Sequence, residues 1–510
     1  MSAAPDLEQI QDLFLALPAL LPEQRWFADK QRIPAGLRPA ATFWLRRELP
    51  ALGLALVDVD FDRGPSARYQ LWIGVRELAD DLADVPAGLK VVVSRPDSGL
   101  EYRAYDALAD PAMGRYLIAW LRAGGSLISE SGAELRVRAL SGELPDLDDD
   151  FSIHPLSVQQ SNSSVVFGEQ LLLKVFRRIW SGVNPELELL EALAQAGFVA
   201  IAKPWIALEA TVGAESYSLG MLQTFLRNGT DGFTLALTSL RDLHGDLLPE
   251  ADGTVPTPEQ CDAAVLEQGG SFLAAADQIG QLTAEMHRAL ASPIGRESLA
   301  ARDLRADDII RSAERIGKHL DEILLNDAPE LEPLRVHRQG VRALLERLEH
   351  LRPSGMAIRV HGDYHLGQLL RTDAGWHVLD FEGRPAEPIA ARRARATPLR
   401  DVAGMLRSFD YAAAVALRQQ AHPDAATAGT LAPYGRAWAR LMREGFLARY
   451  LDALAGAGMV PDDPDDLRLL LSALELGQAL YEVEYELRTR PEWLSIPLEG
   501  IARLLQQANP

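Results

Sequence analysis

The sequence predicts an α+β protein whose first part is rich in strands and whose second part is mostly helical. β-branched and aromatic runs of strand length recur up to about residue 225, and helical periodicity dominates after it. A short strand-and-turn cluster at residues 357–380 interrupts the helices. With 510 residues, the chain is long enough to bury more than one core. We expect an N-terminal cap at 1–140, a β-sheet with one helix at 141–226 and a helical lobe at 227–510.

The predicted cap consists of several strands and one helix. Strand-like stretches lie at residues 69–73 and 89–94, and a helix-like stretch lies at 114–121. The apolar run near the N terminus is flanked by Asp6 and Asp12, where a secretory signal would carry Lys or Arg. We therefore expect a cytoplasmic protein.

Composition and charge exclude several classes of protein. Lys and Arg number 51 against 72 Asp and Glu, and the net charge of −21 repels nucleic-acid phosphates and anionic membranes. The mean hydropathy of −0.06 and the absence of a long unbroken apolar run argue against a transmembrane segment. The single cysteine, Cys261, cannot form an internal disulfide or a cysteine-built zinc site.

The segment after the cap predicts the order strand, strand, helix, strand, strand. Its first two strands, within SVVFGEQLLLKVFRR, are joined by a connection of hairpin length at residues 168–170. A helix begins at Pro185 and ends near Gly197, since proline favours the first turn and glycine the end. Two strand-like runs follow within IAKPWIALEA and SYSLGMLQTFL.

Lys174 lies between apolar neighbours in the strand LLLKVF, a costly place for an ammonium group without an anionic partner. Glu188, in the first turn of the predicted helix, and nucleotide phosphates are candidate partners. The plain alternative is an edge-strand lysine whose amine lies in solvent. Before this strand, a turn of small polar residues offers hydroxyl and N–H groups that can cover phosphates: Ser161, Asn162, Ser163 and Ser164.

A second group of polar residues follows the strand IRV in the C-terminal part. Asp363 lies in HGD, and Gln368 and Asp380 follow it by five and seventeen positions. A loop carboxylate can accept the proton of an attacking hydroxyl, while an amide and a second carboxylate can hold Mg²⁺ across nucleotide phosphates. The structural alternative is that Asp363 caps a turn and Asp380 ends a strand.

His361 and His365 are four residues apart, but the neighbouring glycines favour a loop over a metal-binding helix. We expect these histidines to brace the loop or contact the substrate. A second HGD, at residues 244–246, has no matching amide or carboxylate after it, and we interpret it as chance. The region 244–271 is rich in Pro, Gly and acids and predicts a surface excursion between two helices.

Signatures of P-loop enzymes and common hydrolases are absent: GxxxxGK[ST], GxSxG and HExxH do not occur. The motifs HGDYHLGQ, DFEG and LLLKVFRR resemble those of the aminoglycoside phosphotransferase and choline kinase group of the protein-kinase-like superfamily. Within it, RWFADK, QSNSSVVFGEQ, TPLRDVAGMLRSFDYAA and YEVEYELRTRPEWLSIPL make the chain similar to the actinobacterial maltokinases. The resemblance implies a bilobal kinase-like fold with an extra N-terminal cap.

The resemblance also implies residue roles. Asp363 would be the catalytic base, Gln368 and Asp380 the Mg²⁺ ligands, and Lys174 paired with Glu188 would position the α- and β-phosphates of ATP. The stretch 220–223 would be the hinge that meets adenine, with Met221 and Gln223 as binding residues. Members of the family transfer the γ-phosphoryl of ATP to the anomeric hydroxyl of maltose, and a trehalose synthase is a candidate partner.

Binding a neutral disaccharide requires polar groups and flat aromatic faces. The predicted C-terminal helix offers both at i, i+1, i+4 and i+5, and we interpret them as a wall of the sugar site: Tyr481, Glu482, Tyr485 and Glu486. The alternative is aromatic packing with solvated glutamates. Arg384 departs from the family pattern, which predicts an acidic residue after DFEG.

Two other functions stay open at this point. The acceptor could be glucosamine, another hexose or an aminoglycoside, since an acidic surface also suits cationic substrates. A non-catalytic sensor of sugar or nucleotide is the alternative from another class, and the intact Lys174, Asp363, Gln368 and Asp380 argue against it.

Overall fold

The computed structural model describes residues 11–80, 90–94, 101–156, 162–247, 255–292, 297–385, 387–419 and 425–508. The chain divides into two compact units. The first comprises residues 1–191 and 202–227, and the second comprises residues 192–201 and 228–510.

The elements from the N terminus to residue 224 are mostly strands. They are α1 (Gln11–Leu20), β1 (Pro34–Arg46), β2 (Ala51–Phe61), β3 (Ala67–Glu77), β4 (Lys90–Ser94), β5 (Glu101–Asp106), α2 (Pro111–Ala123), β6 (Gly125–Ile128), β7 (Glu134–Ala139), β8 (Ile153–Leu156), β9 (Ser163–Phe167), β10 (Leu171–Val175), β11 (Arg178–Ile179), α3 (Pro185–Gln195), β12 (Pro204–Val212) and β13 (Glu215–Thr224).

The first sheet of this unit has the order β1-β2-β3-β5-β4, with the short β11 also paired to β3. Its strands β2 and β3 are buried along nearly their whole length, and α1 contributes Leu13 and Leu17 to the same core. Phe27 stacks on Tyr69 in the same core, with ring centroids 5.1 Å apart. The sheet and α1 thus form a core of their own.

The second sheet has the order β6-β7-β12-β13-β10-β9-β8, and its sequential pairs are antiparallel. Strand β10 is central, because it pairs with β9 on one side and β13 on the other. The tight turn between β9 and β10 is the connection at residues 168–170 that the sequence predicts. Residues 125–139 of the predicted cap pair into this second sheet through β7 and β12, and the boundary at residue 140 stays a prediction.

The remaining elements are mostly helices. They are β14 (Thr230–Asp231), α4 (Gly232–Leu247), α5 (Pro258–Gln268), α6 (Ser271–Ala291), β15 (Arg302–Asp303), α7 (Ala306–Leu324), α8 (Glu332–Glu349), β16 (Met356–Ala357), β17 (Leu369–Thr372), β18 (Gly375–Val378), α9 (Ile389–Arg392), α10 (Leu399–Gln419), α11 (Ala425–Ala453), α12 (Pro464–Thr489) and α13 (Ser495–Ala508).

Helix α10 lies in the middle of the helical unit, with fourteen of its residues buried. It packs against α4, α11, α12 and α13. The loop that contains Asp363 leads into strand β17 of the short sheet β14-β17-β18. Gly404 lets α10 approach that loop closely, because a Cβ there would lie 2.4 Å from the carbonyl oxygen of Tyr364.

The predicted excursion at 244–271 is wrong in part. His244 and its neighbours belong to α4, and residues 258–268 form α5. The start of α5 is a capping box in which Thr257 and Gln260 each bond to the other's backbone N–H. The sequence contains this capping box, but the surrounding Pro, Gly and acidic residues are typical of loops and led to the prediction of a surface excursion. Cys261 is buried in the same helix.

The architecture confirms the predicted class: mixed α and β, with antiparallel sheets and a mostly helical C-terminal part. No helix within the described ranges has the length and apolar character needed to cross a membrane.

Candidate functional site

Lys174 is a buried cation on a central strand of the first unit. Its Cα lies opposite Ser164 on β9 and Met221 on β13, so the edge-strand alternative is excluded. Its side chain is 8% exposed, and its Nζ lies 2.6 Å from Oε2 of Glu186. The carboxylate of Glu186 offsets part of the cost of burying an ammonium group in an apolar sheet.

The ion pair that the structure shows for Lys174 is with Glu186, and the predicted pairing with Glu188 stays a prediction. Both residues lie in the first turn of α3, which begins directly after Asn184. Residues 185–193 are all buried, so the helix has no exposed face in this stretch. The sequence pattern therefore does not show which of the two carboxylates points toward Lys174. Only the packing of the helix decides which one meets Lys174.

The small polar residues before β10 are only partly described. Ser161 lies outside the described residues, and the serines at 163 and 164 form the start of β9 rather than a turn. Strand pairing draws them into the sheet. The Oγ of Ser163 accepts a hydrogen bond of 2.7 Å from the buried Arg177. Asn162 directly precedes the strand.

The proposed hinge residues lie near the end of β13. Met221 is fully buried opposite Lys174. Gln223 is 7% exposed, and its Oε1 has no hydrogen-bond partner within the described part of the chain. A buried unpaired acceptor is costly, so this oxygen is suited to an N–H donor from a ligand.

The loop at 361–363 in the second unit is held by a buried carboxylate of α10. The backbone N–H groups of His361 and Gly362 donate to the two oxygens of Asp401, at 2.8 and 2.9 Å. His287 on α6 lies 3.1 Å from the same carboxylate. Burial alone would raise the pKa of Asp401, but the hydrogen bond and charge of His287 outweigh it, and the pKa is lowered. Asp401 is therefore an ionised brace of the loop.

His361 links the loop to the end of β18. Its Nε2 lies 2.8 Å from the carbonyl oxygen of Leu379 and therefore carries the proton, while Nδ1 accepts from the N–H of Asp363 at 3.3 Å. These two hydrogen bonds fix the orientation of the ring. It confirms that this histidine braces the loop. Gly362 has φ +85°, a backbone conformation that glycine adopts without strain.

Gln368 and Asp380 lie at the same end of the β17–β18 hairpin. The N–H of Leu379 donates to the carbonyl oxygen of Gln368 at 2.9 Å, which extends the pairing of Leu369 with Val378 by one step. Asp380 comes next and has φ +60°, a left-handed conformation that is uncommon outside glycine. The hairpin therefore places an amide and a carboxylate close along adjacent strands.

His365 caps the short turn at residues 366–368. Its Nδ1 accepts from the N–H of Gly367 at 3.1 Å, and burial lowers its pKa, so the ring is neutral. The structure thus gives His365 a role in shaping the turn before Gln368, and its predicted contact with substrate stays a prediction.

Arg384 connects the loop to α12. Its Nε lies 3.8 Å from Oδ1 of Asp363, and its guanidinium lies over the ring of Tyr481 at 4.5 Å from the centroid. It also donates to the side-chain oxygen of Gln478. Burial and the nearby Arg400 lower the pKa of Arg384. Tyr481 therefore lies near Asp363, as a sugar-site residue would.

The rest of the predicted sugar wall is already paired within the helical unit. Glu482 receives Nη2 of the buried Arg407 at 2.6 Å, and Glu486 is 1% exposed and receives Nη2 of Arg490 at 2.9 Å. Burial raises the pKa of Glu482 despite the arginine beside it. Glu482 joins α12 to α10 through Arg407, and Glu486 does so by accepting from the hydroxyl of Tyr411. The role of both glutamates in sugar binding stays a prediction. Tyr485 is 39% exposed and remains accessible.

Sequence reasoning missed two polar residues of this arrangement. Glu186 was overlooked because Glu188 lay in the same turn. Gln478 precedes Tyr481 by three positions and so shares its helix face, a spacing that could have identified it.

Residues 20–110 match the family described as the maltokinase N-terminal cap domain. The chain is 31% identical over 357 residues to the glucosamine kinase of Streptacidiphilus jiangxiensis, covering 69% of this chain and 73% of that protein. It is 28% identical over 361 residues to the glucosamine kinase of Mycolicibacterium smegmatis, covering 70% and 80%.

Solved structures of kinases match nearly the whole chain. One, a glucosamine kinase in complex with glucosamine, ADP and inorganic phosphate, has a TM-score of 0.65 and 25% identity over 98% of this chain and 100% of that one. A second crystal form of glucosamine kinase has a TM-score of 0.67 and 26% identity over the same shares. These matches confirm the predicted kinase-like fold with its cap. The chain belongs to the maltokinase-like family of sugar kinases, phosphotransferases whose acceptor is an alcohol group, that includes these glucosamine kinases.

Proposed function

We propose that this protein transfers the γ-phosphoryl group of ATP to a hydroxyl of glucosamine. The observation that supports the chemistry is the braced hairpin end, where Asp363 follows a loop fixed by Asp401 and where Gln368 and Asp380 lie on adjacent strands. A base and two oxygen ligands in rigid positions are what phosphoryl transfer requires, because the reaction depends on positioning and charge stabilisation.

Asp363 has the role of base in this proposal. Its carboxylate accepts the proton of the sugar hydroxyl as the oxygen attacks the γ-phosphorus. The backbone bond to His361 and the guanidinium of Arg384 fix the position of this carboxylate. Lys174, held by Glu186, neutralises the α- and β-phosphates, and Gln223 accepts from the adenine amine.

The donor set of the hairpin suits Mg²⁺, which prefers oxygen ligands. Gln368 supplies an amide oxygen and Asp380 a carboxylate. The left-handed backbone conformation of Asp380 gives its side chain a direction that a regular strand would not. When bound, Mg²⁺ neutralises charge that develops on the transferring phosphoryl group.

Glucosamine is the first acceptor that we propose. The similarity to glucosamine kinases extends beyond the cap into the helical part of the chain. An alignment of 357 residues is longer than the 226 residues that precede the helical part, so it includes part of the helical part of the chain. The maltokinase family matches residues 20–110 only.

Maltose is a second acceptor, supported by Arg384. A cation 3.8 Å from the proposed base disfavours an ammonium group at that position, whereas a neutral disaccharide pays no such cost. In this second proposal the γ-phosphoryl passes to the anomeric hydroxyl and the product is maltose 1-phosphate. Docking of a trehalose synthase on the cap and a cytoplasmic location stay predictions.

Release of ADP from ATP and Mg²⁺ should be measured with glucosamine, maltose, glucose and kanamycin as separate acceptors. We expect the highest kcat/KM with glucosamine. ³¹P NMR of the product then identifies the phosphorylated oxygen. Turnover with maltose alone would overturn the first acceptor, and sugar binding without any ADP release would support a sensor instead of an enzyme.

A further inference from the structure

A basic cavity of about 530 Å³ lies in the helical unit beside α7 and α12. Six cationic side chains line it: Arg302, Arg311, Arg315, Lys318, Arg395 and Arg400. Two carboxylates, Asp308 and Glu314, also line it. Glu387 pairs with Arg400 and Glu322 with Lys318 from outside the lining, so six cations face four carboxylates. In a chain of net charge −21, this excess of cations is a local reversal of charge. Such a concave basic surface concentrates small anions.

The cations are only partly neutralised by neighbouring carboxylates. Asp308 is shared, since Arg302 lies 2.6 Å and Arg311 2.5 Å from its oxygens. Arg395 donates to backbone carbonyl oxygens of Glu297 and Ala300, which carry no net charge. One carboxylate for two guanidinium groups, and none for a third, leaves an excess of positive charge in the cavity.

Arg315 is the cavity cation whose charge is least compensated by neighbouring groups. It makes no hydrogen bond or salt bridge to another side chain in the ranges that the structure describes, and Arg400, Arg384 and Arg311 face it. Burial and these like charges lower its pKa, while Glu387 offsets part of the repulsion. Glu387 is itself bonded to Arg400 at 2.6 Å. An anion that enters the cavity would relieve the repulsion among these guanidinium groups.

The floor of the cavity is apolar. Leu304, Ile309 and Leu470 contribute carbon surface beside the charged groups. The volume is within the range that small organic ligands occupy, roughly 300–1,000 Å³. A ligand with a phosphate at one end and a carbon skeleton at the other matches both parts of the lining.

We propose that this cavity binds a hexose phosphate, whose phosphate group is held by Arg315 and Arg311 and whose sugar ring lies on the apolar floor. Arginine suits this role because its planar fork can donate two parallel hydrogen bonds to phosphate oxygens. The site consists of residues other than Asp363, Gln368 and Asp380, so it does not depend on the proposed function.

The test is calorimetric titration of the full-length protein, without ATP, using glucose 6-phosphate and, separately, inorganic phosphate. We expect glucose 6-phosphate to bind more tightly than inorganic phosphate, and Arg315→Gln to weaken its binding on the order of tenfold or more. Arg311→Gln should weaken it as well. Arg338→Gln is the matched control, since Arg338 is 59% exposed on α8 and lies outside the cavity.

Each other outcome overturns the proposal. Equal affinity of wild type and Arg315→Gln, when both have the same melting temperature, places the ligand elsewhere. Loss of binding in the presence of saturating ADP assigns it to the nucleotide site. Equal affinity for inorganic phosphate excludes a contribution from the sugar ring. ADP release with glucosamine in the Arg315→Gln protein reports separately on the proposed function.

Discussion

The sequence His-Gly-Asp occurs twice in this chain, and the two copies have different structures. At residues 361–363 it forms a loop in which both ring nitrogens of His361 are hydrogen-bonded and Gly362 has a positive φ. At residues 244–246 it lies inside α4, where His244 is fully buried and Asp246 is exposed. Neither ring nitrogen of His244 has a hydrogen-bond partner among the residues that the structure describes.

The comparison teaches that the surroundings, not the three residues themselves, decide whether the aspartate is held in a fixed position. In the loop, the carboxylate of Asp401 receives two backbone N–H groups and so fixes a conformation that a helix cannot supply. In α4 the backbone N–H groups are used by the helix itself, and the aspartate side chain points to solvent. Asp363 is therefore held near Arg384, whereas Asp246 has no fixed target.

The largest expected effect is on turnover. Asp363→Asn removes the proposed base, so kcat should fall on the order of 10²–10⁴-fold in an ADP-release assay. Asp246→Asn is the matched control and should leave kcat unchanged, because Asp246 is exposed on α4. Near-normal turnover by Asp363→Asn would exclude it as the base, and an equal loss in both variants would point to an indirect effect.

The next effect concerns Asp401, which braces the loop at residues 361–363. In Asp401→Asn one side-chain oxygen remains as an acceptor, but the negative charge is lost. In the wild type, two backbone N–H groups and His287 form hydrogen bonds to this charged carboxylate. Hydrogen bonds to buried charged groups contribute about 1.5–3 kcal/mol, and we expect a loss of that size in urea unfolding. Because the loop positions Asp363, kcat should also fall while the KM for ATP changes little. Unchanged stability and kcat would show that the loop needs no brace.

The third effect tests the buried histidine of the second copy. Burial lowers the pKa of His244 from 6.5 to about 4. Between these values the unfolded chain binds a proton that the folded protein does not, so stability falls as the pH drops through 6.5 toward 4. At pH 5 the loss due to this group is about 2 kcal/mol.

Urea unfolding at pH 7 and pH 5 measures this loss. In His244→Leu the decrease between the two pH values should be smaller than in wild type by that amount. An equal decrease in both proteins would mean that His244 titrates normally. His361, whose ring is bonded on both sides, belongs to the loop and is left unchanged in this experiment.

The smallest effects compare the two glycines. Gly362→Ala forces a left-handed conformation on alanine and should destabilise the protein by about 1–2 kcal/mol. Gly245→Ala lies in α4 with open space around the added Cβ and should stabilise it by up to about 1 kcal/mol. Thermal melting of both variants checks the opposite signs. Stabilisation by Gly362→Ala would contradict the loop conformation described above.

Much of the fold was predictable because local signals agree with it. Pro185 and Gly197 bracket α3, and the turn at residues 168–170 joins β9 to β10. The order of strands around Lys174 follows from these signals. Helix α5 was missed because its capping box, Thr257 with Gln260, stood among residues typical of loops.

The site was predictable to different degrees in its two groups of residues. Gln368 and Asp380 stand at the same end of one hairpin, so their placement follows from local pairing. The loop of Asp363 depends in addition on Asp401, which is distant in the sequence. Glu482 and Glu486 are paired with Arg407 and Arg490, and the pairing of Glu482 links α12 to a different helix. Helical spacing places side chains on a face but does not say what packs against that face.

The sequence by itself determined the class of fold and the family, and it supplied the residues proposed for phosphoryl transfer, because these depend on periodicity and on short motifs. Only the tertiary structure decided that Glu186 pairs with Lys174, that Arg384 joins Asp363 to Tyr481, and which glutamates of α12 are buried. Those choices are between chemically equivalent side chains, and they are made by packing between segments far apart in the chain. No local pattern records such packing.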